Sequence, residues 1–225
     1  MRESFDASAA ALSWVITAYT IVAAALLVPS GRSADKRGAR TSFLLGVALF
    51  TLGSLLSGLS FAAWFLIAAR VMQATGSALQ MPAALAIISE YFTENRASAV
   101  GIWGMTSGLG SASGPLIGAA LTEHFGWRSI FFVNVPIGIV VVLVGVRLLR
   151  PMPGRDATQR PDLVGSGLIV LAVASFTFAL VQTEEWGWDD ARVLGALAVS
   201  VTGFVALLRR CSRAASPILD LTLFR

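Results

Sequence analysis

The chain has 225 residues, 56% of them hydrophobic and 13% charged, with a mean hydropathy of +0.74. Soluble domains average about 25% charged residues, so a chain this apolar needs a lipid bilayer around it. A net charge of +4 and a pI near 10.2 would suit nucleic acid only with a basic stripe on a soluble face. Here the basic residues fall between apolar runs, and no nucleic-acid partner is expected.

A transmembrane helix needs about 20 mostly apolar residues to cross about 30 Å of hydrocarbon. Seven segments meet or approach this: residues 13–29, 41–59, 65–89, 97–121, 130–149, 163–181 and 193–208. Their continuous apolar character, without alternation, predicts helices rather than barrel strands, hence an all-α polytopic membrane bundle.

In chain order, the first span carries Trp14, Thr17, Tyr19 and Thr20 in one half, residue types that serve packing or interface anchoring. It leads into GRSADKRGAR, residues 31–40, read as a charged turn whose glycines permit a sharp reversal. The third span holds Arg70, the one basic residue inside a span beyond its last turn, roughly 8 Å in from residue 65. Arg70, Gln73, Ser77 and Gln80 follow at helical spacing on one face. Arg70 near an interface could snorkel and the glutamines could tie helices together. The deeper polar residues favour a water-filled central pathway.

The fourth span places Gly104, Ser107, Ser111, Gly114 and Gly118 on one face, with Gly110, Gly114 and Gly118 forming two overlapping GxxxG units. Small residues let helix backbones approach closely in lipid, and Pro115 removes a helix hydrogen bond. The expectation is a tight packing seam or a bending seal. The fifth span carries a buried polar Asn134 beside Pro136, and no span has an acid at its middle, Glu90 lying only at the end of the third.

Lys and Arg set the orientation. Alternate loops on one side receive Arg32, Lys36, Arg37, Arg40, Arg96, Arg147, Arg150, Arg155, Arg160, Arg209, Arg210, Arg213 and Arg225; the other side receives Arg2, Arg128 and Arg192. The amino terminus is expected outside and the carboxyl terminus in the cytoplasm, with the acidic, tryptophan-bearing TEEWGWDDAR loop outside. One cysteine, Cys211, excludes an intramolecular disulfide and a cysteine-rich metal cluster, and His124 is the one histidine. HExxH, GxxxxGK[ST] and GxSxG are absent from the sequence, so no enzyme activity, metal site or cofactor is expected.

Three of these stretches together resemble signatures of the major facilitator superfamily. GRSADKRGAR is similar to its cytoplasmic signature G-x-L-A-D-r-x-G-r-[KR]: Gly31, Ala34, Asp35, Gly38 and Arg40 match, Lys36 fits conservatively, while Ser33 replaces Leu and Ala39 a basic residue. LIAARVMQATGSA resembles the fourth-helix signature through Arg70, Gln73 and Gly76, with Ala74 where glycine is usual. GSASGPLIGA resembles the fifth-helix antiporter signature through Gly110, Gly114, Pro115 and Gly118, with Ala119 for a final glycine. SWVITAYTI, GWRSIFFVNVPIG and SPILDLTLFR are similar to the fourteen-helix drug:proton antiporters of the EmrB/QacA type.

The resemblance implies that residues 1–150 are a partial amino-terminal bundle, family helices two to six. Residues 151–225 would be two additional transmembrane helices and the start of the linker between halves. The family's first helix, with its Asp, and the carboxyl-terminal half are not matched, so a fragment that does not transport alone is expected. In a complete transporter the implied activity is proton-coupled efflux of drugs or other small molecules, with lipid, substrate and protons as partners. Gly31, Asp35, Lys36, Arg37, Gly38 and Arg40 would form the cytoplasmic gate, with Asp35 left at most local partners. Arg70, Gln73, Gly76, Ser77 and Gln80 would serve the central cavity and proton coupling, and Gly110, Gly114, Pro115 and Gly118 the bend or seal. A metabolite or siderophore exporter of the same fold is the close alternative. A seven-helix receptor or sensor fits the topology but leaves the motifs unexplained.

Overall fold

The computed structural model describes residues 9–154 and 162–213 together with Ile218. Among these the regular structure is entirely helical: α1 (Ala9–Arg37), α2 (Ala39–Gly58), α3 (Ala63–Tyr91), α4 (Arg96–Phe125), α5 (Ser129–Phe132), α6 (Asn134–Leu148), α7 (Leu163–Trp186) and α8 (Ala191–Cys211). Six stretches are long and apolar enough to cross a membrane: Ser13–Arg37, Ala39–Gly58, Ala63–Tyr91, Ser129–Leu148, Leu163–Trp186 and Ala191–Cys211. At 30 residues α4 is long enough, but its glycines and serines leave it less apolar than these six.

One expectation is corrected here. Residues 31–40 are not a loop, because α1 continues through Pro29 and Gly31 to Arg37 and the reversal is made by Gly38 alone, at φ +91°. Only glycine adopts that conformation without strain, and Lys36 and Arg37 complement the negative end of the α1 dipole just before it. The fifth span runs as one apolar stretch, Ser129–Leu148, in which Val133 between α5 and α6 keeps helical dihedrals and donates its backbone N–H to the Ser129 carbonyl at 3.0 Å. Asn134 is half-buried and turns its amide back to the Ile130 carbonyl at 3.2 Å.

The core is built on close backbone contact between α2 and α3. A methyl group at Gly46 would lie 2.7 Å from the Gln80 nitrogen and 2.8 Å from the Gly76 oxygen; one at Gly53 would lie 2.7 Å from the Gln73 nitrogen. One at Gly76 would overlap the Phe50 nitrogen. Such approach replaces the hydrophobic incentive that lipid removes. Around this pair, α1 packs on α3, α6 on α2, and the α7–α8 hairpin on α1. At the end carrying the α2–α3 and α4–α5 turns, Val15, Leu66, Trp127 and Phe131 form one buried cluster. Arg128 locks it by donating to the Ser60 carbonyl at 3.0 Å.

The small-residue face of α4 makes no such seam within the described chain. No α4 residue is buried, and Gly104, Gly110, Gly114 and Gly118 have open space where a side chain would be. The helix is continuous across Pro115.

Candidate functional site

The polar residues of α3 converge where α1, α2 and α3 meet. Because Gly53 admits the α3 backbone at Gln73, the short side chain of Ser54 reaches across: Gln73 Nε2 donates to Ser54 Oγ at 2.6 Å. Ser54 is fully buried and Gln73 is 2% exposed. The other end of the Gln73 amide, Oε1, accepts from the Arg70 guanidinium at 2.5 Å. Arginine only donates, so this polarity is forced: the amide oxygen must face Arg70, leaving the amide nitrogen for serine.

Arg70 is half-buried and held from three directions. Its Nε donates to the Val15 carbonyl of α1 at 3.3 Å, its plane lies 4.1 Å from the centre of the Tyr19 ring, and Phe131 of α5 stands at 5.8 Å. A desolvated cation over an aromatic face is worth roughly 2 kcal/mol, comparable to what insertion scales charge for an arginine in lipid, about 2.5 to 3.5 kcal/mol. Among the described residues no carboxylate pairs with Arg70. Its partners lie on α1 and deeper along α3, so the guanidinium is engaged inside the bundle rather than reaching for an interface.

The expected stripe divides. Gln73 is a buried tie between helices, and Gly76 is consumed in the α2–α3 seam; Ser77 and Gln80 are half-buried, with the Gln80 backbone against Gly46. Tyr19, Ser54 and the Val15 carbonyl were not expected here. Tyr19 had looked like an interface anchor, and Ser54 carries no signal except that it follows Gly53 on the face of Ser42, Gly46 and Ser57.

The charged stretch lies at the opposite end of the bundle. Asp35 and Arg37 are exposed, and among the described residues no ion pair involves Asp35. Gly31 and Lys36 are half-buried and Gly38 is buried. Arg40 donates to the Val146 carbonyl of α6 at 2.9 Å, fixing the start of α2 against the end of α6. Arg150 donates its backbone N–H to the Tyr91 hydroxyl at 2.8 Å, which draws in the end of α3. Gly110, Gly114, Pro115 and Gly118 lie on α4, remote from both groups by their lack of partners.

At the base of the α7–α8 hairpin, Asp162 caps α7 by accepting from the Gly165 amide at 2.9 Å and pairs with Arg210 of α8 at 2.9 Å. Burial pushes this carboxyl up. The Gly165 amide and the hydrogen bond and charge of Arg210 outweigh burial and hold it below the ordinary carboxylate range. No group of three or more His, Cys, Asp or Glu residues suited to a metal occurs among the described residues.

Residues 1–212 match the family model described as Major Facilitator Superfamily. The whole chain aligns at 35% identity with the tetracenomycin C resistance and export protein of Streptomyces glaucescens, covering 42% of that protein. It aligns at 34% with the methylenomycin A resistance protein of Bacillus subtilis, covering 48%. Over 98% of its length it is 35% identical to a riboflavin transporter of Clostridioides difficile, covering 47%. The chain thus spans less than half the length of these curated relatives. A helical bundle with six helices among the described residues long and apolar enough to cross a membrane, matched across 212 residues, is a multi-pass membrane protein of a transporter family rather than an enzyme. The chain belongs to the major facilitator superfamily.

Proposed function

We propose that this chain supplies one part of a proton-coupled exporter of drugs or other small molecules, of the fourteen-helix antiporter type. The observation that carries the reading is the arginine held without a carboxylate at the junction of α1, α2 and α3. A permanent cation so placed adjusts the affinity of a neighbouring site for protons and substrates through its field. Arg70, Gln73, Gly76, Ser77 and Gln80 serve that site. Gly31, Asp35, Lys36, Arg37, Gly38 and Arg40 form the cytoplasmic gate, and Gly110, Gly114, Pro115 and Gly118 the sealing face. The protein lies in the cell membrane with its amino terminus outside and its carboxyl terminus in the cytoplasm, as the distribution of Lys and Arg supports.

Residues 1–150 contribute family helices two to six, and residues 151–225 the additional helix pair with the start of the linker. Transport requires helices that complete the pathway opposite α4, a reading supported by the share of the relatives' length that the chain covers. The test is drug extrusion from vesicles under an imposed proton gradient, with this chain alone and with the remaining portion of the Streptomyces glaucescens relative co-expressed. Extrusion is expected only with the complement, and Arg70→Ala should abolish it. Extrusion by the chain alone would overturn the reading. The resemblance to a riboflavin transporter favours a second reading within the same fold, export of a metabolite, and the same vesicles loaded with flavin distinguish the two.

A further inference from the structure

Residues on either side of the α7–α8 hairpin, Met152 to Gly154 before it and Ile218 after it, attach to the charged end of α1 and the turn that follows. On the entering side, Gly154 lies so close to the α1–α2 turn that a methyl group on it would overlap the Lys36 carbonyl oxygen, and one on Gly38 would overlap the Met152 carbonyl oxygen. Two glycines therefore face each other's neighbours with backbone against backbone. Pro151 and Pro153 restrict this segment to extended geometry, so it crosses the turn as a strap. On the leaving side, Arg32 of α1 donates through Nε to the Ile218 carbonyl at 3.0 Å. Ile218 is buried in a cluster with Ile169 of α7 and with Leu207 and Cys211 of α8, and Val28 of α1 packs against it. Asp162 and Arg210 close the hairpin base with an ion pair at 2.9 Å.

We propose that the strap at Met152 to Gly154 and the Arg32–Ile218 bond form a clasp that couples the α7–α8 hairpin to the charged end of α1. Arg32 and Gly154 act as positioning residues for the α1–α2 turn, and displacement of that turn is transmitted to the hairpin base. The gating consequence rests on the reading of residues 31–40 as a gate. The clasp itself is physical and is tested without transport.

Cys211, the one cysteine of the chain, is 6% exposed and shares its cluster with Ile218, so its thiol reports on the clasp. The experiment measures the rate at which a maleimide labels Cys211 in the full chain reconstituted in liposomes. Arg32→Ala is expected to raise the rate about tenfold, the scale of losing one hydrogen bond from a charged donor that holds a local structure closed. Arg32→Lys, which keeps a cationic donor, should return the rate toward that of the unmodified chain. Gly154→Val should raise it about threefold by lifting the strap, with helix content unchanged. Should Arg32→Ala lose helix content, Gly154→Val decides. Labelling at the unmodified rate in a folded variant, or Arg32→Lys reacting as fast as Arg32→Ala, would overturn the clasp. Either result would leave the transporter reading intact, since only the vesicle assay bears on that.

Discussion

Along α2 and α3, Gly46, Gly53 and Gly76 draw two backbones together until a single methyl group has no room; along α4, a methyl group at Gly104, Gly110, Gly114 or Gly118 would meet no other part of the molecule within 4 Å. Both faces are rich in small residues, and in lipid both have the same capacity for close approach. The difference lies in what accompanies the glycines. In the α2–α3 seam they bring Ser54 and Gln73 within hydrogen-bonding reach, so packing and polar pairing reinforce each other. The α4 serine and threonine hydroxyls instead bond back to their own helix, Ser107 to Trp103 and Ser113 to Leu109, both at 2.8 Å. A glycine ladder marks a face able to pack; it does not say whether the partner belongs to the same stretch of chain.

The sharpest contrast should come from one substitution placed on each face. Gly76→Val forces a side chain into the Phe50 backbone and should cost about 3 kcal/mol, the upper end of the usual overpacking range. Gly114→Val enters open space and should stay within about 0.5 kcal/mol of the unmodified chain. Thermal unfolding of the purified chain in detergent measures both, and similar losses would erase the distinction. The polar side of the seam comes next. Gln73→Leu leaves Arg70 and Ser54 each short of a partner and should cost about 1–2 kcal/mol. Ser54→Ala added to Gln73→Leu should cost little more, because the shared bond is already gone.

A smaller, pH-dependent effect belongs to the hairpin base. The Asp162 carboxyl is held below its ordinary value, so its stabilising contribution is full above the normal carboxylate range, about pH 4, and is lost as pH falls through the lowered value. Thermal midpoints should therefore fall on acidification more steeply in the unmodified chain than in Asp162→Asn. The smallest effect is expected at Asp190. It caps α8 and pairs with Arg192 in solvent, and Asp190→Asn should leave the midpoint unchanged.

Much of this was legible from residue order. Apolar runs located the helices, because length and hydropathy are what a bilayer selects, and Arg70 stood out because a charge inside a span is rare. What composition conceals is local hydrogen bonding and long-range choice of partner. Residues 31–40 read as a loop by charge, yet helix dipole and charge agree through Arg37 and only Gly38 departs from helical geometry. Gly46 and Gly53, seven residues apart on the face of Ser42 and Ser57, carry the seam's signal at a spacing that lacks the GxxxG pattern of α4. Tyr19 beneath Arg70 could not be read, since nothing local to α1 indicates which residue of α3 will lie over it.

The contrast between the closed α2–α3 seam and the open α4 face is tested most directly by nitroxide labels in liposomes, in a Cys211→Ser background. One label replaces Ala78, which is 2% exposed, and the other replaces Gly114 on α4. In the chain alone, the label at position 78 should be immobilised, and that at position 114 mobile and accessible to oxygen dissolved in the lipid. Adding the complementary portion of a relative should immobilise position 114 and leave 78 unchanged. A label at position 114 already immobilised in the monomeric chain, or one that stays mobile when the complement is bound, would contradict the proposal that α4 receives the rest of the transporter.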